Sequence, residues 1–259
     1  MNPESYNNHV GVPYSLANMP RNIDYGVFEI GMNNFNEISV LSKLVKPNIV
    51  IITNISEAHI GNFNSIYDII KAKAEIFDGL KNNGFVLLNN DHEYHKEINK
   101  YINKNNTNVI TYGMNKNADI RLIKRKIVEK GQAIIAEAYG KKYHYSISLD
   151  GEHQAINSLV VIGVLLITKC NINKGLKNLF ETMPLYGRGS RHNLKILGKK
   201  SILIDDSYNA NLSSMRASIK SLDEIAKNNR KVLIFGEMGE LGIFSNDLHN
   251  KLYKFLINF

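Results

Sequence analysis

Three residues able to share a divalent cation or a phosphate stand beside short apolar runs. Glu29 closes the run DYGVFEI, His59 lies in the turn TNISEAHIG after NIVII, and Lys73 sits in the helical pattern SIYDIIKAKAEIF. Short apolar runs bounded by turn signals read as strands of a parallel sheet covered on both faces. Ligands of an open α/β sheet bind in the crevice outside the carboxyl ends of its strands, so Glu29, His59 and Lys73 are expected to converge there. Each also has a plainer reading. Glu29 can cap the following turn, His59 can hydrogen-bond within its loop, and Lys73 can be a solvated helix lysine, as Lys71 is expected to be. Asp205 and Asp206 follow another apolar strand and precede a turn, where a carboxylate can hold a ribose, a metal or a helix N-terminus. Gly236, Gly239 and Gly242 form a turn after an apolar run, which alone is weak evidence for phosphate binding.

The elements that must position these residues follow from periodicity. Strands are expected near residues 25–30, 48–53, 85–89 and 109–112, and helices near 37–45, 65–80 and 93–103. Ser65 with Asp68 approximates a capping box. This alternation gives βαβ units and a parallel sheet. Residues 120–129, 133–139 and 142–149 read as a small antiparallel meander, followed by helices near 152–168 and 174–182. Pro184 and the glycines at 187 and 189 mark a boundary. A second α/β unit follows, with strands at 201–204 and 231–235, a helix at 213–227 and a last helix from about 247. Residues 1–21 read as an entering loop. The expected fold class is therefore α/β: a central parallel-sheet domain with an antiparallel meander over residues 1–185, then a partial Rossmann-like unit over 186–259.

Composition narrows the function. A chain of 259 residues with 44% apolar content can bury a sizeable core. Its net charge of +8 is scattered, apart from residues 121–130, where basic and apolar residues alternate like a strand. Such a background suits anionic ligands such as nucleotides, and without a basic stripe or stacking motif it does not suggest nucleic acid. Cys170 is the single cysteine, which excludes an intrachain disulfide and suits a reducing compartment. Neither a membrane-spanning run nor a signal-peptide pattern is evident, so a soluble cytoplasmic protein is expected.

The order and wording of EIGMNNFNEI, TNISEAHIGNF, KAKAEIF, GEHQAIN, YGRG, DDSYNANLSSM and GEMGELG resemble the Mur ligases. That resemblance implies an ATP-dependent amide ligase of peptidoglycan precursor synthesis. Its substrates would be UDP-N-acetylmuramoyl-tripeptide and D-alanyl-D-alanine, joined through an acyl phosphate. It implies ATP and Mg²⁺, with Glu29 and His59 as metal ligands and Lys73 carbamylated beside them as a third. It further implies that Asn157, with His153 before it, faces adenine, that Arg188 reaches the phosphates and that Asp206 holds the ribose. Tyr208, Asn209 and Asn211 would lie in the loop joining nucleotide to substrate. The sequence departs from the family in places: Gly61 stands where an acidic residue is usual, Gln154 where an asparagine is, Leu212 where a proline is and Asn36 where a glycine is. No segment matches G-x-x-x-x-G-K-[ST], a loop the resemblance places upstream of YNNHVGVP, and the second unit is expected to be cut short. The isolated chain is therefore expected to be inactive: either the sequence is a fragment, or a separate chain supplies the loop. A non-catalytic module that binds nucleotide weakly or not at all is the alternative, and a sister activity such as folylpolyglutamate synthesis is the third. The shortened unit is also expected to expose a sheet edge and the apolar residues Phe255, Leu256, Ile257 and Phe259.

Overall fold

The computed structural model describes residues 6–258, so the expectation for Phe259 lies outside the described residues. Its centre is a six-stranded sheet in chain order: β1 (Ile49–Ile52), β2 (Gly84–Asn89), β3 (Thr107–Gly113), β4 (Ile120–Ile127), β5 (Gln132–Ala138) and β6 (Lys141–Ile147). β1, β2 and β3 are parallel, linked through α3 (Ile66–Ala74) and α4 (His95–Asn99). β4 runs on beside the end of β3, parallel over two residue pairs, and the β4–β5–β6 meander is antiparallel. The meander is thus an extension of the parallel sheet, not a separate layer.

Both faces of the sheet are covered, which explains why its central strands are apolar throughout. Val86 and Leu88 of β2 enter a core shared with α3 and with α2 (Glu37–Val45). Leu87, between them, enters the opposite core with α5 (Glu152–Ile167) and α6 (Ile172–Leu179). α5 lies close to the sheet because it carries Gly163, where a Cβ would come within 2.2 Å of Leu87 Cδ2.

The helices start where their side chains can replace missing backbone partners. Ser65 Oγ accepts the amide of Asp68, and the Asp68 carboxylate accepts the amide of Asn64, so the expected capping box forms one residue wider. Asn171 caps α6, and Asn211 forms a full box with Ser214 at the start of α7 (Leu212–Ala226). At α2 the first-turn amides of Asn36 and Ser39 donate to Glu75, from the KAKAEIF motif.

Five expectations need correction. Residues 25–30 join no ladder, and Tyr25 and Val27 are 58% and 60% exposed. Apolar content favours burial, but a strand also needs a neighbour, and no described strand pairs with this one. Residues 231–235 are likewise unpaired, with Ile234 92% exposed. The sheet of the C-terminal unit is instead a hairpin, β7 (Ser190–Ile196) with β8 (Lys199–Asp205). Its two-residue turn puts Leu197 and Gly198 at positive φ, the arrangement that matches strand twist. β7 escaped notice because SRHNLKI is mostly polar. Within the segment expected to be a loop, α1 (Gly11–Ala17) forms, because the Asn8 carboxamide accepts the amides of Val10 and Gly11. The helix expected over 93–103 shrinks to the five residues of α4. In the last helix, α8 (Ser245–Ile257), Phe255 and Leu256 pack against the first core, and Ile257 is exposed.

Candidate functional site

A cavity of about 610 Å³ opens outside the carboxyl ends of β1 and β2, at Thr53, Asn54 and Asn89. This size is ordinary for a small-molecule site. Its walls come from both units. α5 supplies His153 and Asn157, four residues apart and hence on one helix face. The segment before β7 supplies Arg188, and the segment after β8 supplies Asp206, Tyr208 and Asn209. Six of the seven residues expected to face a nucleotide thus line one crevice. Asn211, the seventh, caps α7 through the amide of Ser214 at 2.9 Å.

Short-range contacts hold these side chains. Gly187, at φ +66°, accepts the amide of Tyr208 and leaves room for its backbone. The Arg188 guanidinium lies 4.3 Å from the Tyr208 ring centroid, a cation–π contact. Asp206 accepts a hydrogen bond from Ser218 of α7. His153 is exposed at the crevice wall, yet enough protein surrounds the ring to desolvate it in part. This desolvation lowers its pKa below the usual imidazole value, against the opposing pull of Asp206.

Glu29, His59 and Lys73 do not line this crevice. Glu29 is exposed and accepts a 2.9 Å hydrogen bond from Asn7. His59, at φ +61°, meets the Glu240 carboxylate of the GEMGELG turn through Nδ1. Gly61 makes that docking possible: its amide donates to the Glu240 carbonyl at 2.9 Å, and a Cβ would come within 2.8 Å of it. Lys73 is half-buried, and desolvation by the surrounding protein pushes its pKa down. No ion pair to a described residue compensates it. Among the described residues, no three His, Cys, Asp or Glu side chains are grouped to hold a metal ion.

Other residues shaping the crevice were not identified from sequence. Gln132, fully buried, donates to the carbonyls of Leu149 and Gly151 at 2.9 Å and so fixes the turn before α5. A polar residue in phase with Ile134, Ala136 and Ala138 along QAIIAEA was the available signal. Asp150 pairs with Arg191 of β7, Nε donating to Oδ2 at 2.6 Å, and both residues line the cavity. Their 41-residue separation gave no local signal.

Fold and crevice together define an α/β protein whose two units share a cleft at the carboxyl ends of the parallel strands. Residues 1–165 match the Mur ligase middle domain and residues 193–257 the Mur ligase glutamate ligase domain. The chain belongs to the Mur ligase family. It is 34% identical over 257 residues to the UDP-N-acetylmuramoyl-tripeptide--D-alanyl-D-alanine ligase of Rickettsia prowazekii, covering 98% of this chain and 56% of that protein. The Escherichia coli ligase of the same name is 30% identical, with 94% and 52% covered. The crystal structure of MurF from Acinetobacter baumannii superposes with a TM-score of 0.90 at 26% identity, over 100% of this chain and 55% of that one. The chain thus spans about half the length of the curated relatives it matches.

Proposed function

We propose that this chain is the nucleotide-crevice portion of an ATP-dependent amide ligase that joins D-alanyl-D-alanine to UDP-N-acetylmuramoyl-tripeptide. The observation that carries the reading is the crevice. Residues whose motifs resemble nucleotide contacts, although up to 56 positions apart, line one cavity between two units. Asn157 and His153 face the adenine, Asp206 the ribose and Arg188 the phosphates. Tyr208 and Asn209 join this end to the substrate end. The boundary between units is placed at residues 185 and 186, beside the turn that presents Arg188.

In this reading the peptide carboxylate attacks the γ-phosphorus of ATP, and ADP leaves as the acyl phosphate forms. The amine of the dipeptide then adds to the acyl carbon, and inorganic phosphate departs as the amide forms and the amine loses its proton. The chain's own residues bind and orient: Arg188 offsets phosphate charge, and the crevice walls exclude water from the nucleoside. Lys73 fits a metal-facing role on one structural ground, a half-buried amine with no ion pair to a described residue. Desolvation favours the neutral amine that carbamylation requires. Glu29, His59 and carbamylated Lys73 would hold magnesium, a hard cation that takes one or two carboxylates together with phosphates. When bound it supplies neutralisation of phosphate charge. ATP and a UDP-linked precursor are cytoplasmic compounds, and the proposal puts the chain there.

Calorimetry with MgADP, on the chain and on Asp206→Ala, tests the crevice; equal heats would remove the nucleotide reading. Phosphate release with ATP, Mg²⁺ and both substrates tests the chemistry. We expect little turnover from the chain alone and gain on adding a polypeptide that carries a G-x-x-x-x-G-K-[ST] loop. Binding with no turnover under any addition would select a second reading, a module that holds nucleotide without turnover.

A further inference from the structure

Arg125 belongs to the basic alternating stretch that the nucleotide reading leaves unused. β4 begins with Ile120 and Leu122 on the buried face, opposite Ala138 and Ala136. The register then shifts between Leu122 and Lys124. Beyond the shift Arg125 pairs with Ile134 and Ile127 with Gln132, so the odd-numbered residues take over that face. A bulge re-aims side chains in this way, and here it turns a guanidinium inward, leaving the Arg125 side chain 17% exposed.

There the guanidinium forks onto Glu224 of α7. Nη1 donates to Oε2 at 2.8 Å, and Nη2 donates to Oε1. Nη1 also donates to Gln132 Oε1 at 3.2 Å, and Nη2 to Glu152 Oε2 at 3.4 Å. One arginine thereby joins α7 of the C-terminal unit to the sheet and to the first turn of α5. Neither Arg125 nor Glu224 lines the nucleotide crevice; both line an adjoining cavity of about 490 Å³. The two helices they bridge do line the crevice, through His153 and Asn157 on α5 and Ser218 on α7. A planar fork fixes both distance and angle between the elements it joins, which a point charge does not.

The geometry points to Arg125 and Glu224 as positioning residues: their fork holds α7 at a fixed distance from α5 and so sets the width of the crevice. The part concerning ligand affinity rests on the nucleotide reading. The test uses the full chain with Arg125→Gln, Glu224→Gln, the double variant and Arg125→Lys. Two quantities are read. One is MgADP affinity by calorimetry. The other, without nucleotide, is the distance distribution between spin labels at Tyr139→Cys and Leu197→Cys, exposed turns of the two units, in a Cys170→Ala background. Each Gln variant should broaden the distribution and weaken MgADP by at least about fivefold. The double variant should be no worse than either single, because the first change already breaks the pair. Arg125→Lys, which keeps charge but loses the fork, should fall between and carries the test if a Gln variant fails to fold. Unchanged distributions, additive losses, or broadening with unchanged affinity would overturn the inference. If the parent chain binds no MgADP, the nucleotide reading falls, and the distance distributions alone decide the clasp.

Discussion

The crevice residues are fixed by neighbours close at hand: a glycine turn against Tyr208, a tyrosine face under Arg188, a serine on Asp206 and one helix face for His153 and Asn157. Glu29, His59 and Lys73 are held differently. Two have taken protein partners, Asn7 and Glu240, and the third is half-buried with no ion pair to a described residue. Under the proposed roles the contrast has a physical basis. Polar groups that face an uncharged base or sugar can be preorganised by the protein's own hydrogen bonds, and Arg188 rests its charge on an aromatic face. Groups that would serve a cation draw their compensation from it when it is bound and otherwise turn to polar groups nearby.

The largest expected effect sharpens the comparison at the crevice. Asp206→Ala should weaken MgADP about 10- to 100-fold, the range for losing a hydrogen bond to a charged group, as read by calorimetry. Lys73→Met tests the other region. Replacing a half-buried ammonium that has no ion pair to a described residue by an apolar chain should stabilise by about 1 kcal/mol and raise Tm by about 2–4 °C; a lower Tm would mean that the ammonium has a partner. An acid limb should follow from the histidines. Burial lowers the pKa of both His92 and His153. Their contribution is complete above the unfolded value of about 6.5 and is lost as pH falls toward the folded values. His92 faces backbone amides at both ring nitrogens, Ile55 at 3.3 Å and Tyr94 at 3.1 Å, so its protonated form has no acceptor there. His92→Gln should therefore flatten the fall in Tm between neutral and mildly acidic pH, and an unchanged slope would assign that limb elsewhere. The smallest effect belongs to Glu29→Gln: an exposed carboxylate should change stability by less than about 0.5 kcal/mol in denaturant unfolding. A larger loss would place Glu29 in the structural framework.

The apolar runs of β1, β2 and β3, the helical periods of α2 and α7, the cap at Ser65 and the meander turns were legible in the sequence. Each depends on residues within a few positions of one another. The residues of the crevice were legible too, because their motifs keep a recognisable order. Ladders and long-range pairs were not. Residues 25–30 and 231–235 carry strand-like apolar runs, but pairing depends on a neighbour that local sequence does not specify. Tertiary structure alone decided that β7 pairs with β8, that a bulge turns Arg125 toward a glutamate 99 positions away, and that Gly61 admits the turn carrying Glu240 to His59. Periodicity and capping are local energies written along the chain, whereas register, docking and charge pairing are settled only when distant segments compete for the same space.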